Sequence, residues 1–259
     1  MKVVVTGTRG IPNILGGVET HCEELFPRIA QKGIDITIIR RKSYVHDSLT
    51  RYKGVELVDI ETPKKKSFEA IIHTFKAIMK AKSLHADIVH IHAIGPALLT
   101  PLARLLGMKV VFTHHGPDYD RDKWGKAAKF MLKAGERMGC MFANEVIVIS
   151  EVINDILVRK YNRKNCHLIY NGVPTSDKVK DTDYLAELGI EPQKYVFAMG
   201  RFVPEKNFHQ LIRAFAALKQ QSYKLVLAGD TDFEDDYSKK LKSLAKENGV
   251  ILTGFIKGT

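Results

Sequence analysis

The residues best suited to chemistry stand where short apolar runs stop. His90 and His92 lie two apart at the close of the run 88–91, and His114, His115 and Gly116 close the next, 110–113. On a strand, positions two apart share a face. In an open parallel sheet, ligands bind outside the carboxyl ends of the strands. Imidazoles there can meet a substrate, and His115 is the better placed to do so, whereas His90 suits a buried, hydrogen-bonded role. Four clustered histidines also raise zinc, but no carboxylate or cysteine completes a ligand spacing, so no metal is expected.

Anion binding has two candidate places. The first strand leads into Gly7-Thr8-Arg9-Gly10 and then Gly16-Gly17-Val18-Glu19-Thr20 before a helix. Glycines there let the backbone approach a ligand, and the free N–H groups of a helix start favour an anion. The spacing is neither GxGxxG nor Walker A, which removes the P-loop reading. A nicotinamide reading also falls, because Arg40 and Arg41, not an acidic residue, end the second strand. The second place is Gly200-Arg201-Phe202-Val203-Pro204-Glu205-Lys206-Asn207, between a strand and a helix. Arg201 can grip phosphate bidentately and Lys206 can act as a point charge, a pair suited to a diphosphate. Asp118-Tyr119-Asp120 spells DxD, but so do residues 181–183 and 230–232, and three hits in one chain mark a cheap pattern.

The elements that must position these residues alternate along the chain. Runs at 3–5, 34–39, 55–60, 88–91, 110–113 and 146–149 read as buried strands. Residues 17–32 read as a helix burying Val18, Cys22, Leu25, Phe26 and Ile29. A second helix, 67–82, is expected to bury Phe68, Ile71, Ile72, Phe75 and Met79. Such alternation implies a doubly wound α/β domain over residues 1–170. Residues 171–189 read as a linker. Strands at 195–199, 223–228 and 250–253, with helices 208–218 and 237–247, then give one βαβαβ half of a second such domain over 190–259.

Composition narrows the class. The 259 residues are 45% hydrophobic and 27% charged, which excludes global disorder. No apolar run approaches the ~20 residues needed to span a bilayer. The start turns polar too soon for a signal peptide, and Cys22, Cys140 and Cys166 form no disulfide framework, so a cytoplasmic protein is expected. The net charge of +11 calls for a partner. Lys126, Lys129, Lys133 and Arg137 recur at helical spacing beside Phe130, Met131, Met138 and Met141, and Lys64, Lys65 and Lys66 precede Lys76 and Lys80. Basic amphipathic helices suit an anionic membrane surface, here the inner face of the cytoplasmic membrane. Nucleic acid is disfavoured, since neither recognition motif nor stacking platform is present.

Together, the Gly16-Gly17 loop, Thr113-His114-His115-Gly116, Val148-Ile149-Ser150-Glu151, Tyr170-Asn171-Gly172-Val173 and Gly200-Arg201…Glu205-Lys206-Asn207 resemble retaining glycosyltransferases of family four, with the GT-B fold. The opening is similar to the rhamnosyltransferase-like branch that makes bacterial surface polysaccharides. The resemblance implies one complete Rossmann-like acceptor domain and the first half of a donor domain. It implies a nucleotide-diphosphate sugar as donor, a lipid-linked saccharide or oligosaccharide as acceptor, and no cofactor. Arg201 and Lys206 would bind the donor diphosphate, assisted by backbone N–H groups near Gly16 and Gly17. His115 would lie near the transferred sugar, and Glu19 on the acceptor side.

The family's E-x7-E motif belongs to the second half of the donor domain. The one pair with that spacing, Glu61 and Glu69, lies in the first domain and reads as coincidence. The chain is therefore expected to be a truncation, inactive alone. Two other functions fit the pattern: a nucleotide-sugar 2-epimerase, and a non-catalytic module that binds saccharide at a membrane.

Overall fold

The structure, a computed structural model, describes residues 1–62, 69–120, 124–173, 175, 181–219, 222–231 and 234–256. It divides into two units, Met1–Val173 and Pro174–Thr259. The basic run Lys64, Lys65 and Lys66, with Phe68, lies outside the described residues, as does Asp232 of the third DxD.

In the first unit eight strands form one sheet: β1 (Lys2–Thr6), β2 (Asp35–Arg41), β3 (Arg51–Tyr52), β4 (Val55–Ile60), β5 (Ile88–His92), β6 (Lys109–His114), β7 (Glu145–Val148) and β8 (Cys166–Leu168). Their order is β3-β4-β2-β1-β5-β6-β7-β8, and every pair is parallel except β3 with β4. The helices are α1 (Gly17–Ala30), α2 (Glu69–Ser83), α3 (Thr100–Leu105), α4 (Lys126–Phe142) and α5 (Glu151–Tyr161).

Alternation along β1 sorts its side chains between two cores. Val3 and Val5 pack with Ile36, Ile38, Cys22 and Phe26 on the α1 side. Val4 joins Ile78, Val89, Ile91, Phe112 and Leu157 on the other. Burying each such large side chain contributes about 1.5–3 kcal/mol. Because β1 pairs with β2 on one edge and β5 on the other, the order reverses beside it. That reversal is the switch point where open α/β sheets hold ligands, outside the carboxyl ends of β1 and β5.

The buried face of α2 differs from the expected one. Phe75 and Met79 are 48% and 44% exposed, while His73, Thr74, Ala77, Ile78 and Ala81 are buried. Small Ala77 and Ala81 let the helix lie close to the sheet, which turns the longer Phe75 and Met79 outward. The short strands β3 and β8 lie outside the runs read as strands; their polar sequences, Arg51-Tyr52 and Cys166-His167-Leu168, carry little apolar signal.

Among the described residues the second unit has three parallel strands, β9 (Tyr195–Met199), β10 (Lys224–Ala228) and β11 (Ile251–Gly254), in the order β11-β10-β9. A short helix α6 (Asp183–Glu187) forms within the stretch read as linker, followed by α7 (Phe208–Ala217) and α8 (Asp236–Glu247). Phe202, Phe208, Ile212, Leu225, Leu227, Leu241 and Ala245 make its core. A capping box starts α8, with Asp235 Oδ1 accepting from the Ser238 N–H at 2.8 Å and Ser238 Oγ accepting from the Asp235 N–H at 2.9 Å.

Candidate functional site

The loop after β1 is shaped by close approach. Gly7 has φ +95°, and a Cβ there would run into the backbone of His92, so the loop lies against the end of β5. Gly16, the residue before α1, has φ +152°, and a Cβ there would collide with the Glu19 carboxylate. Without it, Glu19 folds back, buried, to accept from the Arg9 N–H at 2.9 Å and the Thr8 hydroxyl at 3.2 Å. Glu19 thus ties the loop to the start of α1. Nothing stands within 4 Å of a Cβ at Gly17.

Beside this loop lie the histidines. His90 is stacked on His92 at 4.3 Å between ring centroids, and its Nε2 is 2.7 Å from Thr113 Oγ1. Phe26 presents its ring edge to both, at 5.6 Å. His92 Nδ1 and His115 Nε2 share a hydrogen bond of 2.9 Å. His21, on α1, reaches the edge of the His115 ring at 5.2 Å. Burial, reinforced by the neighbouring imidazoles, lowers His90 to about 3 and His115 to about 4. Burial also lowers His92, and lowers His21 against the opposing effect of Asn171. The rings are therefore neutral at pH 7.

Adjacent His114 and His115 point to different places. His114 is fully buried, its Nε2 2.8 Å from Glu136 Oε1 on α4, while its Nδ1 accepts from the Gly116 N–H at 3.1 Å. Glu136, also buried, accepts from the hydroxyls of Tyr161 at 2.6 Å and Tyr119 at 3.1 Å. Burial alone would raise Glu136, but the bonds from His114 and Tyr161 outweigh it and hold its carboxyl below the usual range. This network anchors the turn that carries His115. The sequence marks out neither His21 nor Glu136, because helical register gives neither a partner. Glu69 accepts from Ser43 at 3.0 Å and Tyr44 at 3.4 Å, a role within the fold.

In the second unit, Arg201 and Lys206 are both exposed on the turn between β9 and α7. Buried Phe202 pins that turn by packing edge-on against Phe208 at 5.8 Å. The Phe202 N–H donates to the Asp230 carbonyl at 3.0 Å, and the Lys206 N–H to the Val203 carbonyl at 3.0 Å. A Cβ at Gly200 would stand 3.6 Å from Lys206 Cε, so the lysine stem lies along the end of β9.

The model for Glycosyltransferase Family 4 matches residues 15–177, and that for Glycosyl transferases group 1 matches residues 181–259. An uncharacterized glycosyltransferase of Methanocaldococcus jannaschii is 22% identical over the whole chain and 70% of its own length. The alpha-monoglucosyldiacylglycerol synthase of Streptococcus pneumoniae is 24% identical over 93% of this chain and 59% of its own. The crystal structure of Anabaena HepE in complex with UDP-glucose superposes with a TM-score of 0.76 at 18% identity, covering 99% of this chain and 70% of that one. The chain thus spans from about three fifths to 70% of the length of these proteins. With the family model covering most of the first unit and the GT-B architecture shared by its structural neighbours, the chain belongs to glycosyltransferase family 4.

Proposed function

We propose that the chain serves transfer of a sugar from a nucleotide-diphosphate donor to a saccharide acceptor, lipid-linked, with retention at the anomeric carbon, in cell-surface polysaccharide synthesis. The observation that carries this reading is the convergence of α1, whose His21 lies 5.2 Å from the His115 ring, with neutral His115 at the carboxyl ends of β5 and β6. In this reading His115, held by His92, meets the hydroxyls of the transferred sugar. Arg201 and Lys206 take the charge of the departing diphosphate, the main electrostatic task of such a reaction, and no metal is needed for it. The amides of Gly16 and Gly17 assist. Glu19 sets the loop that lines the acceptor side.

Anabaena HepE has been solved with UDP-glucose, which supports the donor class, and the pneumococcal relative is named as the synthase of a glucosylated lipid, which supports a lipid-borne acceptor. Attachment to an anionic membrane rests on α4, where Phe130, Met141 and Phe142 are 74%, 53% and 42% exposed on the helix that carries Lys126, Lys129 and Lys133. Among the described residues, no helix is long and apolar enough to cross a membrane.

Saturation-transfer NMR of the chain with UDP-sugars tests the donor assignment. Saturation of protein protons is expected to pass to the nucleotide protons, and to do so less in an Arg201→Ala, Lys206→Ala double variant; no transfer to the nucleotide, or equal transfer in the two proteins, would remove the assignment.

A further inference from the structure

Three imidazoles converge in the first unit from three separate elements: His21 from α1, His92 from the end of β5, and His115 from the turn after β6. One ring nitrogen of each lies within 4.8 Å of the others. His92 and His115 are already bonded at 2.9 Å, and the Nε2 of fully buried His92 has no hydrogen-bond partner, so that ring keeps unused capacity. Around a tetrahedral ion with metal–nitrogen bonds of about 2.0–2.1 Å, neighbouring ligand atoms stand about 3.4 Å apart. That spacing lies between the 2.9 Å of the His92–His115 pair and the 4.8 Å within which all three atoms fall.

We propose that His21, His92 and His115 form a binding site for a divalent transition-metal cation, of the class that prefers nitrogen ligands. The donor set decides the class. Imidazole suits zinc, copper, nickel and cobalt, whereas magnesium, calcium and manganese prefer oxygen, and no carboxylate stands in the group. Three protein ligands leave one position for water or a substrate oxygen, and His21, only partly buried, lies on the solvent side. His90 stacked beneath His92, and Asn171 beside His21, fix two of the rings. Where the ion takes His92 Nδ1 and His115 Nε2, the single hydrogen between them moves to the far nitrogen of its own ring. Charge then balances without loss of a proton.

The consequence rests on the sugar-transfer reading: an ion at His115 occupies the imidazole assigned to the sugar, so zinc inhibits transfer. The binding itself does not depend on that reading. Titration of the chain with zinc against a chromophoric chelator, with X-ray absorption of the loaded sample, tests it. One ion per chain in a shell of nitrogen and oxygen is expected, with no response to magnesium. His21→Gln and His115→Gln, both at incompletely buried positions and checked for folding by circular dichroism, are each expected to weaken binding at least about tenfold. Absence of zinc binding, a sulfur-containing shell, or affinity unchanged in both folded variants would overturn the site. None of these outcomes touches donor binding at Arg201 and Lys206, so the two readings fail separately.

Discussion

Glu136 shows how much one side chain can carry. Glu136→Ala removes the acceptor of His114, Tyr119 and Tyr161 at a fully buried position, and orphaned buried donors cost about 1–3 kcal/mol each. A loss of about 3 kcal/mol or more is expected in urea denaturation. Acid sensitivity follows from the same burial. His73 is lowered to about 4 by burial first, then by Arg41 and Lys76. His90 is lowered to about 3. In the unfolded chain both bind protons near 6.5, so between there and about pH 4 the unfolded state holds more protons and acid removes stability. Acidification through that window costs up to about 1.4 kcal/mol per pH unit for each group, and above it their full stability is present. Urea midpoints at pH 7.5 and 5.5 should differ accordingly; equal midpoints would exclude the effect. That His90 and His92 share a face was legible, because a strand's period of two is strict. The separation of His114 from His115 obeys the same period, but Glu136 and His21 lie 22 and 71 residues from the groups they join. No local periodicity encodes such pairs.

At the scale of elements, small residues decide what sequence patterning alone cannot. On α2, Phe75 and Met79 outweigh Ala77 and Ala81 in any apolar count, although the alanines are what allow close packing. Helix α4 repeats the lesson. A Cβ at Gly135 would collide with the Ile94 carbonyl, and one at Gly139 would stand 2.8 Å from the Phe112 ring. Gly135→Ala should therefore destabilise by about 1–3 kcal/mol, despite a gain in helix propensity of about 1 kcal/mol. Thermal melts check the sign. The opposite face of α4 gives a second test: Phe130→Glu, at an exposed position, should weaken sedimentation with phosphatidylglycerol vesicles and leave the melting temperature unchanged. Vesicle binding that is absent, or indifferent to this change, would remove the membrane assignment. The strands and helices that frame the histidines were legible from their β-branched runs and helical spacing; β3, β8 and α6 were too short and polar.

For the molecule as a whole, the parallel order and its reversal beside β1 explain why the candidate residues of the first unit gather at one end of the sheet. Alternating apolar strands and amphipathic helices made that architecture readable before any coordinate. The second unit is different in balance. Its strand β9 leaves Phe197 50% and Met199 74% exposed, and among the described residues the sheet has three strands. Exposed apolar faces and unpaired edges favour association. Residues 190–259 of the chain are expected to show weaker hydrogen-exchange protection than the first unit, or to self-associate. Equal protection in a demonstrated monomer would contradict this.

In the proposed reaction Arg201 and Lys206 neutralise the diphosphate of a nucleotide sugar. Calorimetric titration of UDP into the chain and into an Arg201→Ala, Lys206→Ala double variant tests it most directly. Charge-assisted bonds of this kind are worth about 1.5–3 kcal/mol each, so the double variant, with its fold intact, should bind at least about tenfold more weakly. UDP binding of equal strength in the two proteins would contradict it.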